Sequence, residues 1–374
     1  MIYHIITTPE CNLCCSYCGE KAFCDPGSKN DPVFESVPSK IQYSMQELKK
    51  FLIRDKEDVG IIFYGGEPLL EIDSIKQIMD SLKSESKVKH FLIQTNGILL
   101  NKLPPQYVNR FHTILVSLDG DKEVTNFNRG QGTYEKVLSN LKSIVAQGFR
   151  GEIIARMTIE EPTDFFKDVT YLIENKEFPF NSIHWQLDAN MWHDYKKRNF
   201  SSWSKDYNKG ITQLVDYWLR EMKEGKVIRL YPFLGIMNSI LFGERYGLRC
   251  GSGIGNFTIL PNGKISACPI MSGISENYLG DIRKTNPAAL PFKLSVQEPC
   301  TSCEDFELCG GRCLYSNLYP AWPVKGINEV CGTVKHLLRE MKRIAPQVQE
   351  LIDSGKIDKK DLQFLKYNCC EIIP

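Results

Sequence analysis

The 374-residue sequence has no excess of either charge: 46 lysines and arginines stand against 45 aspartates and glutamates, a formal net charge of +1. So even a balance gives no overall attraction to nucleic acid or to an anionic membrane, though it leaves local patches open. The chain also lacks an apolar run of membrane-spanning length. It has no basic start followed by an apolar stretch and a cleavage site, because Met1 to Thr8 is already a strand-like run. These absences predict a soluble, cytoplasmic protein with no nucleic-acid and no membrane partner. Repeats and low-complexity segments are missing too. What is present is 42% hydrophobic residues, enough for a substantial core, and a length that fits two or three domains of ~100–200 residues. There are also 14 cysteines. Cytosolic thiols are kept reduced, so these are not expected to pair as disulfides, and their clustering favours metal.

The first cluster is Glu10 to Cys18, ECNLCCSYC, with Cys11, Cys15 and Cys18 at C-x3-C-x2-C spacing directly after the apolar start. It offers three thiolates. A structural zinc site wants four closed ligands, whereas an iron–sulfur cube held by three cysteines keeps one iron open. Zinc or incidental cysteines is the competing reading, and Cys14 reads as a spare thiol. The spacing, with Tyr17 before the third cysteine, resembles the signature of the radical S-adenosylmethionine (SAM) superfamily. The resemblance implies that Cys11, Cys15 and Cys18 hold a [4Fe–4S] cluster whose open iron chelates SAM. It also implies reductive cleavage of SAM to a 5′-deoxyadenosyl radical.

Through residue 190 the chain repeats a short apolar run, a turn and a helical period. Strands are expected at Ile2 to Thr7, Ile61 to Tyr64, Phe91 to Gln94, Ile114 to Ser117, Ile153 to Met157 and Ile183 to Leu187. Ser44 and Glu47 read as a capping box, and helical periods run over 72–82 and 134–145. The alternation predicts α/β architecture with parallel βαβ units, an open partial (β/α)6 barrel. In such barrels chemistry sits at the carboxyl ends of the strands. Those ends lead here into the cysteine motif, Gly65-Gly66-Glu67-Pro68, Thr95-Asn96-Gly97, Ser117-Leu118-Asp119-Gly120, Arg156, and Gln186 with Asp188.

FYGGEP one strand after the cysteines resembles the radical-SAM GGEP loop. Glycines let backbone approach a ligand closely, and a carboxylate accepts from an ammonium group. The resemblance implies SAM contacts at Tyr17, Gly65, Gly66, Glu67, Pro68, Asn96, Ser117 and Arg156. Gly-Gly, Asn-Gly and Asp-Gly are also plain turn signals. Arg129 has two readings, a substrate contact or a cap of the following helix.

Between Asn190 and Arg249 the rhythm stops and aromatic residues gather, with Ile211, Leu214, Val215, Trp218, Leu219 and Met222 on one helical face. That stripe reads as a bridging helix against the barrel. Beyond it come Cys250, Cys268, Cys300, Cys303, Cys309, Cys313 and Cys331, with Cys300, Cys303, Cys309 and Cys313 at C-x2-C-x5-C-x3-C spacing. This arrangement is similar to the SPASM domain of radical-SAM enzymes, which binds two auxiliary [4Fe–4S] clusters. An odd seven cysteines fits paired four-cysteine zinc sites badly. The resemblance assigns Cys300, Cys303, Cys309 and Cys331 to an outer cluster, and Cys250, Cys268 and Cys313 to an inner one. No further cysteine lies between Cys24 and Cys268 except Cys250, so an inner cluster with an open iron is expected, with Cys369 and Cys370 as rival ligands.

The expected organisation is a radical-SAM barrel over 1–190, a bridging helical segment over 191–245, a small cysteine-rich SPASM domain over 246–335 and a helical tail over 336–374. The resemblance implies three [4Fe–4S] clusters, SAM, a ferredoxin- or flavodoxin-type electron donor, an anaerobic setting and a peptide or protein substrate. Hydrogen abstraction would lead to a thioether or another crosslink. Asp188 is the candidate general acid or base. Ten residues precede Cys11, so either a partner presents the peptide or the barrel mouth recognises it. The alternatives are a radical dehydrogenase of a small alcohol or sugar, and a non-enzymatic iron–sulfur or zinc scaffold, which would need neither an open iron nor GGEP.

Overall fold

The computed structural model describes residues 1–18, 34–161, 163–244, 247–366, 368, 370, 373 and 374. Cys24 and Cys369 lie outside the described residues. The first half alternates β1 (Ile2–Thr8), α1 (Met45–Leu52), β2 (Val59–Gly65), α2 (Ile72–Ser81), β3 (Val88–Thr95), α3 (Pro105–Val108), β4 (Thr113–Ser117), α4 (Lys122–Arg129), α5 (Thr133–Ala146), β5 (Glu152–Ile159), α6 (Phe165–Ile173) and β6 (Ser182–Leu187). The second half runs through α7 (Phe200–Lys223), α8 (Tyr231–Phe242), β7 (Asn256–Ile259), β8 (Lys264–Ser266), β9 (Tyr278–Asp281), α9 (Phe306–Cys309), α10 (Leu314–Leu318) and α11 (Val324–Asp353). All six expected strands are present. Each is slightly longer than its apolar run, because backbone pairing continues into the flanking polar and glycine residues.

The chain folds as two compact units interleaved along the sequence. One comprises Met1–Leu118, Thr125–Ile154 and Gly251–Ser295; the other comprises Asp119–Val124, Ala155–Cys250 and Val296–Pro374. In the first unit the strands lie in the order β4-β3-β2-β1-β7-β8-β9. Pairing is parallel from β4 through β1 to β7 and antiparallel from β7 to β9. A parallel sheet is covered on both faces, so its strands are continuously apolar. All seven residues of β1 are buried, and Ile61, Ile62 and Phe63 of β2 are inaccessible to solvent. Each such side chain contributes roughly 1.5–3 kcal/mol through burial. The capping box at α1 is complete: the Ser44 N–H donates to Glu47 Oε2 at 2.7 Å and the Glu47 N–H to Ser44 Oγ at 3.2 Å.

The four residues of β7 pair with β1 from Ile2 opposite Asn256 to Ile5 opposite Ile259. The first part of the stretch expected as one small cysteine-rich domain therefore extends the barrel sheet.

In the second unit the aromatic residues form a core. Trp185 of β6 meets Phe165 at 5.1 Å and Phe233 at 5.4 Å between ring centroids, and its Nε1 donates to the Tyr207 hydroxyl at 3.1 Å. On α7, Ile211, Leu214, Val215, Trp218, Leu219 and Met222 are all buried, as the helical stripe predicts. No helix among the described residues is long and apolar enough to cross a membrane.

Candidate functional site

The cysteine loop leaves the end of β1, and the turn after β2 is built against it. The Gly66 N–H donates to the Thr8 carbonyl at 3.0 Å and the Glu67 N–H to the Glu10 carbonyl at 2.8 Å. A Cβ on Gly66 would sit 2.2 Å from the Glu10 oxygen, so only glycine allows this approach. Glu67 then turns inward and is fully buried. Its carboxylate accepts from Thr95 Oγ1 at 2.7 Å, from the Asn96 N–H at 2.7 Å and from the Leu69 N–H at 3.0 Å. Burial pushes its pKa up to about 7 in spite of these three donors. The Glu67 side chain thus clamps the turn after β2 to the end of β3, while Pro68 opens a 3-10 turn whose first two residues, Pro68 and Leu69, are buried.

Asn96 continues the linkage. Its Nδ2 donates to Asn12 Oδ1 at 2.8 Å and lies 3.8 Å from Cys11 Sγ, and the Leu13 N–H is 3.5 Å from the same sulfur. Cys11 is exposed, Cys15 buried and Cys18 half-buried. The Cys15-to-Cys18 turn is closed by the Cys18 N–H donating to the Cys15 carbonyl at 3.1 Å. On the other side the Ser16 N–H donates to the Asn128 carbonyl at 2.9 Å, and the buried Arg129 guanidinium lies 5.4 Å from the centre of the Tyr17 ring. Both earlier readings of Arg129 omitted this stacking. Ser117 ends β4, half-buried.

In the second unit Arg156 of β5 donates to Gln186 Oε1 on β6 at 3.1 Å. Asp188 is 9% exposed and forms an ion pair with Arg198, which also holds Asp194 at 2.7 Å. A cleft of about 860 Å³ in the same unit is lined by Glu161, Asp164, Lys167, Arg198, Trp203 and Lys209 among others. None of the sequence-predicted site residues lines it.

Four of the later cysteines share the second unit and sense one another's charge. Cys300 is pushed up by burial and by Cys331 and Cys303; Cys309 is pushed up to about 11 by burial, with Cys300 and Cys331 adding to the shift. Donors already face these sulfurs: the Gly311 and Arg312 N–H groups at Cys309, and the Asn317 amide at Cys300. Thiols with N–H donors and thiol neighbours, half-buried at Cys300, Cys303 and Cys309 and exposed at Cys331, fit iron–sulfur ligation, where hydrogen bonds to sulfur are part of the site. Cys250 and Cys313 belong to this unit and Cys268 to the other. Cys370 is fully buried. Among the described residues no three His, Cys, Asp or Glu side chains are gathered around a single-ion position.

Sequence reasoning missed Asn12, Arg198, Asn317 and Asn140, whose Nδ2 braces the Gly97 and Ile98 carbonyls at 2.8 and 2.9 Å. Lone polar residues on helices and loops carry no spacing signal.

Residues 5–163 match the Radical SAM superfamily. The chain is 26% identical over 324 residues to a cysteine-type anaerobic sulfatase-maturating enzyme of Clostridium perfringens, covering 81% of this chain and 85% of that protein. It is 22% identical over 331 residues to the radical SAM cyclopropyl synthase TigE of Paramaledivibacter caminithermalis, covering 83% and 67%. Among solved structures, native anSMEcpe with bound AdoMet and Cp18Cys peptide superposes with a TM-score of 0.71 at 21% identity, covering 93% of this chain and 99% of that one. That likeness confirms the partial-barrel α/β fold. With the cysteine loop of β1 and the glycine turn of β2 inside the matched region, residues 5–163 are a Radical SAM superfamily domain, and this match together with the AdoMet-bound structure supports S-adenosylmethionine and an iron–sulfur cluster as its cofactors.

Proposed function

We propose that the protein is a peptide- or protein-modifying radical SAM enzyme that abstracts hydrogen from its substrate and directs the product toward a thioether or another crosslink. The observation that carries the SAM site is the Glu67 N–H to Glu10 carbonyl bond, which ties the three-cysteine loop to the glycine turn. The peptide class is supported by the maturating enzymes to which the chain is similar.

Cys11, Cys15 and Cys18 would hold the SAM-binding cluster. Tyr17, Gly65, Gly66, Glu67, Pro68, Asn96, Ser117 and Arg156 would form the SAM surroundings. Bound, the cluster and SAM together supply the 5′-deoxyadenosyl radical that the hydrogen abstraction needs. Glu67 acts through the backbone it fixes, because its carboxylate is already occupied by Thr95, Asn96 and Leu69. Asn96 steadies Cys11, and Arg129 stacks on Tyr17, so both hold the cysteine loop in one conformation. Asp188 serves as the general acid or base once substrate draws it from Arg198.

Cys300, Cys303, Cys309 and Cys331 would hold an outer auxiliary cluster and Cys250, Cys268 and Cys313 an inner one, with an open iron for a substrate thiolate or with Cys370 as its closing ligand. The functional division follows: barrel 1–190, bridging segment 191–245, auxiliary-cluster domain 246–335 and tail 336–374. A ferredoxin or flavodoxin supplies electrons, and a separate protein presents the peptide if the barrel mouth does not bind it directly.

The test is iron and zinc per chain after anaerobic reconstitution, for the wild type and for the Cys11/Cys15/Cys18 triple alanine variant. About 12 iron falling to about 8, without zinc, is expected for three four-iron clusters. SAM cleavage with cysteine-containing peptides is then the activity assay. Iron unchanged by the triple substitution, or zinc at the later cysteines, would overturn the reading.

A further inference from the structure

The loop from Cys309 to Cys313 carries three successive residues with left-handed backbone: Gly310 at φ 68°, Gly311 at φ 88° and Arg312 at φ 58°. The glycines have steric reasons. A Cβ on Gly310 would lie 1.8 Å from the Gly247 oxygen, and one on Gly311 would lie 2.5 Å from Val296 Cγ1. Position 312 bears an arginine in a conformation that side chains rarely adopt. The N–H groups of Gly311 and Arg312 both face the Cys309 sulfur, forming an anion-binding concavity of the kind that cradles iron–sulfur centres.

The Arg312 side chain is 8% exposed, and its Nε and Nη2 atoms are buried without any hydrogen-bond partner. Among the described residues no carboxylate pairs with it. Buried guanidinium groups are ordinarily paired, since an uncompensated buried charge is strongly unfavourable. Arg249 in the same unit, also buried, places two of its nitrogens on acceptors, donating through Nε to the Leu308 carbonyl and through Nη2 to Ser239 Oγ at 2.9 Å. Arg312 has no such acceptors: it immediately precedes Cys313 in the loop from Cys309, and its positive charge favours the thiolate of Cys331. Cys331 in turn acts on Cys300 and Cys309. The orphaned donors thus belong to the residue between Gly311 and Cys313, and their charge is felt at Cys331, one of the four thiols.

We propose that Arg312 is the built-in counter-ion of the outer auxiliary cluster, donating Nε–H and Nη2–H to its sulfurs and raising its reduction potential. The inference rests on the assignment of Cys300, Cys303, Cys309 and Cys331 to that cluster. Reduction adds one electron and one negative charge without making or breaking a bond. A fixed positive charge and N–H donors at sulfur stabilise the reduced form more than the oxidised form. The outer cluster is therefore set as an electron acceptor within the chain, and Arg312 is a tuning residue that touches no substrate.

The experiment is an EPR-monitored potentiometric titration of the reconstituted full-length protein, with iron per chain measured on the same samples. The outer-cluster signal is the one perturbed by Cys303→Ser. Arg312→Gln is expected to keep its iron and move that midpoint to lower potential, leaving the other signals in place. Arg312→Lys, which keeps the charge and loses the fork of donors, is expected between wild type and Arg312→Gln. An unchanged midpoint in an iron-replete Arg312→Gln protein overturns the inference and leaves the cluster assignment standing. If Arg312→Gln fails to retain outer-cluster iron, a wild-type midpoint in Arg312→Lys overturns it. If Cys303→Ser perturbs no iron signal, the cluster assignment itself falls and the inference with it.

Discussion

The Asn96 backbone N–H donates to the Glu67 carboxylate at 2.7 Å while the Asn96 side chain reaches Asn12 at 2.8 Å. One residue therefore couples the turn after β2 to the loop that bears Cys11. Glu67→Gln replaces one carboxylate oxygen by an NH2 group that opposes either the Asn96 N–H at Oε2 or the Thr95 O–H and Leu69 N–H at Oε1. A buried polar mismatch of this kind costs about 1–3 kcal/mol. The expected result is a melting temperature lowered by several degrees and weaker SAM binding in calorimetry. Wild-type SAM affinity in this variant would remove Glu67 from the positioning of the site.

Gly66 gives a sharper test because the obstruction is backbone. With a Cβ 2.2 Å from the Glu10 oxygen, Gly66→Ala must displace the cysteine loop or the turn. Reconstituted Gly66→Ala protein is expected to lose about four iron, one cube, while the later clusters remain. Full iron content with undiminished SAM cleavage would show that the close approach is dispensable.

The barrel half was legible because parallel strands buried on both faces write continuous apolar runs, as in Ile61, Ile62 and Phe63. The glycine and cysteine motifs fall at their ends. β7 was not legible: Asn256–Ile259 is four residues long, and its pairing with β1 is a contact between residues some 250 positions apart in sequence. Arg312 was hidden for a different reason, since a single arginine inside a cysteine motif looks like any spacer residue. Only its left-handed backbone and unpaired burial distinguish it. The Glu67 carboxylate was read from the sequence as facing a ligand, and its three internal donors appear only once β2 and β3 lie side by side.

Asp168, on α6, offers a pH dependence of stability. It is 1% exposed and its Oδ1 has no hydrogen-bond partner. Burial, then the charge of Asp121, pushes its pKa up to about 7, against the opposing charge of Lys167. An unfolded aspartate titrates near 4, so between about pH 4 and 7 the folded chain holds a proton that the unfolded chain has lost. That stabilisation disappears as pH rises through this window, at roughly 1.4 kcal/mol per pH unit of difference. Asp168→Asn removes the titration. Its melting temperature is expected to gain on the wild type as pH rises from about 4 to about 7, and to keep a constant gap above that. A gap independent of pH across that window would contradict the buried protonated carboxyl.

Asp188 and Arg198 separate a structural role from a chemical one. The pair is nearly buried, and Arg198 keeps a second partner in Asp194, so Asp188→Asn leaves the guanidinium compensated and the fold largely intact. If Asp188 moves a proton during turnover, Asp188→Asn lowers kcat by about 10²-fold or more with little change in melting temperature. Arg198→Gln then acts oppositely on the two readouts: it releases the carboxylate, costing about 3–5 kcal/mol as a broken buried pair, yet retains measurable turnover because the proton-transfer group remains. Equal stability losses in both variants, with turnover intact in Asp188→Asn, would make Asp188 an anchor for the segment between β6 and α7 and nothing more.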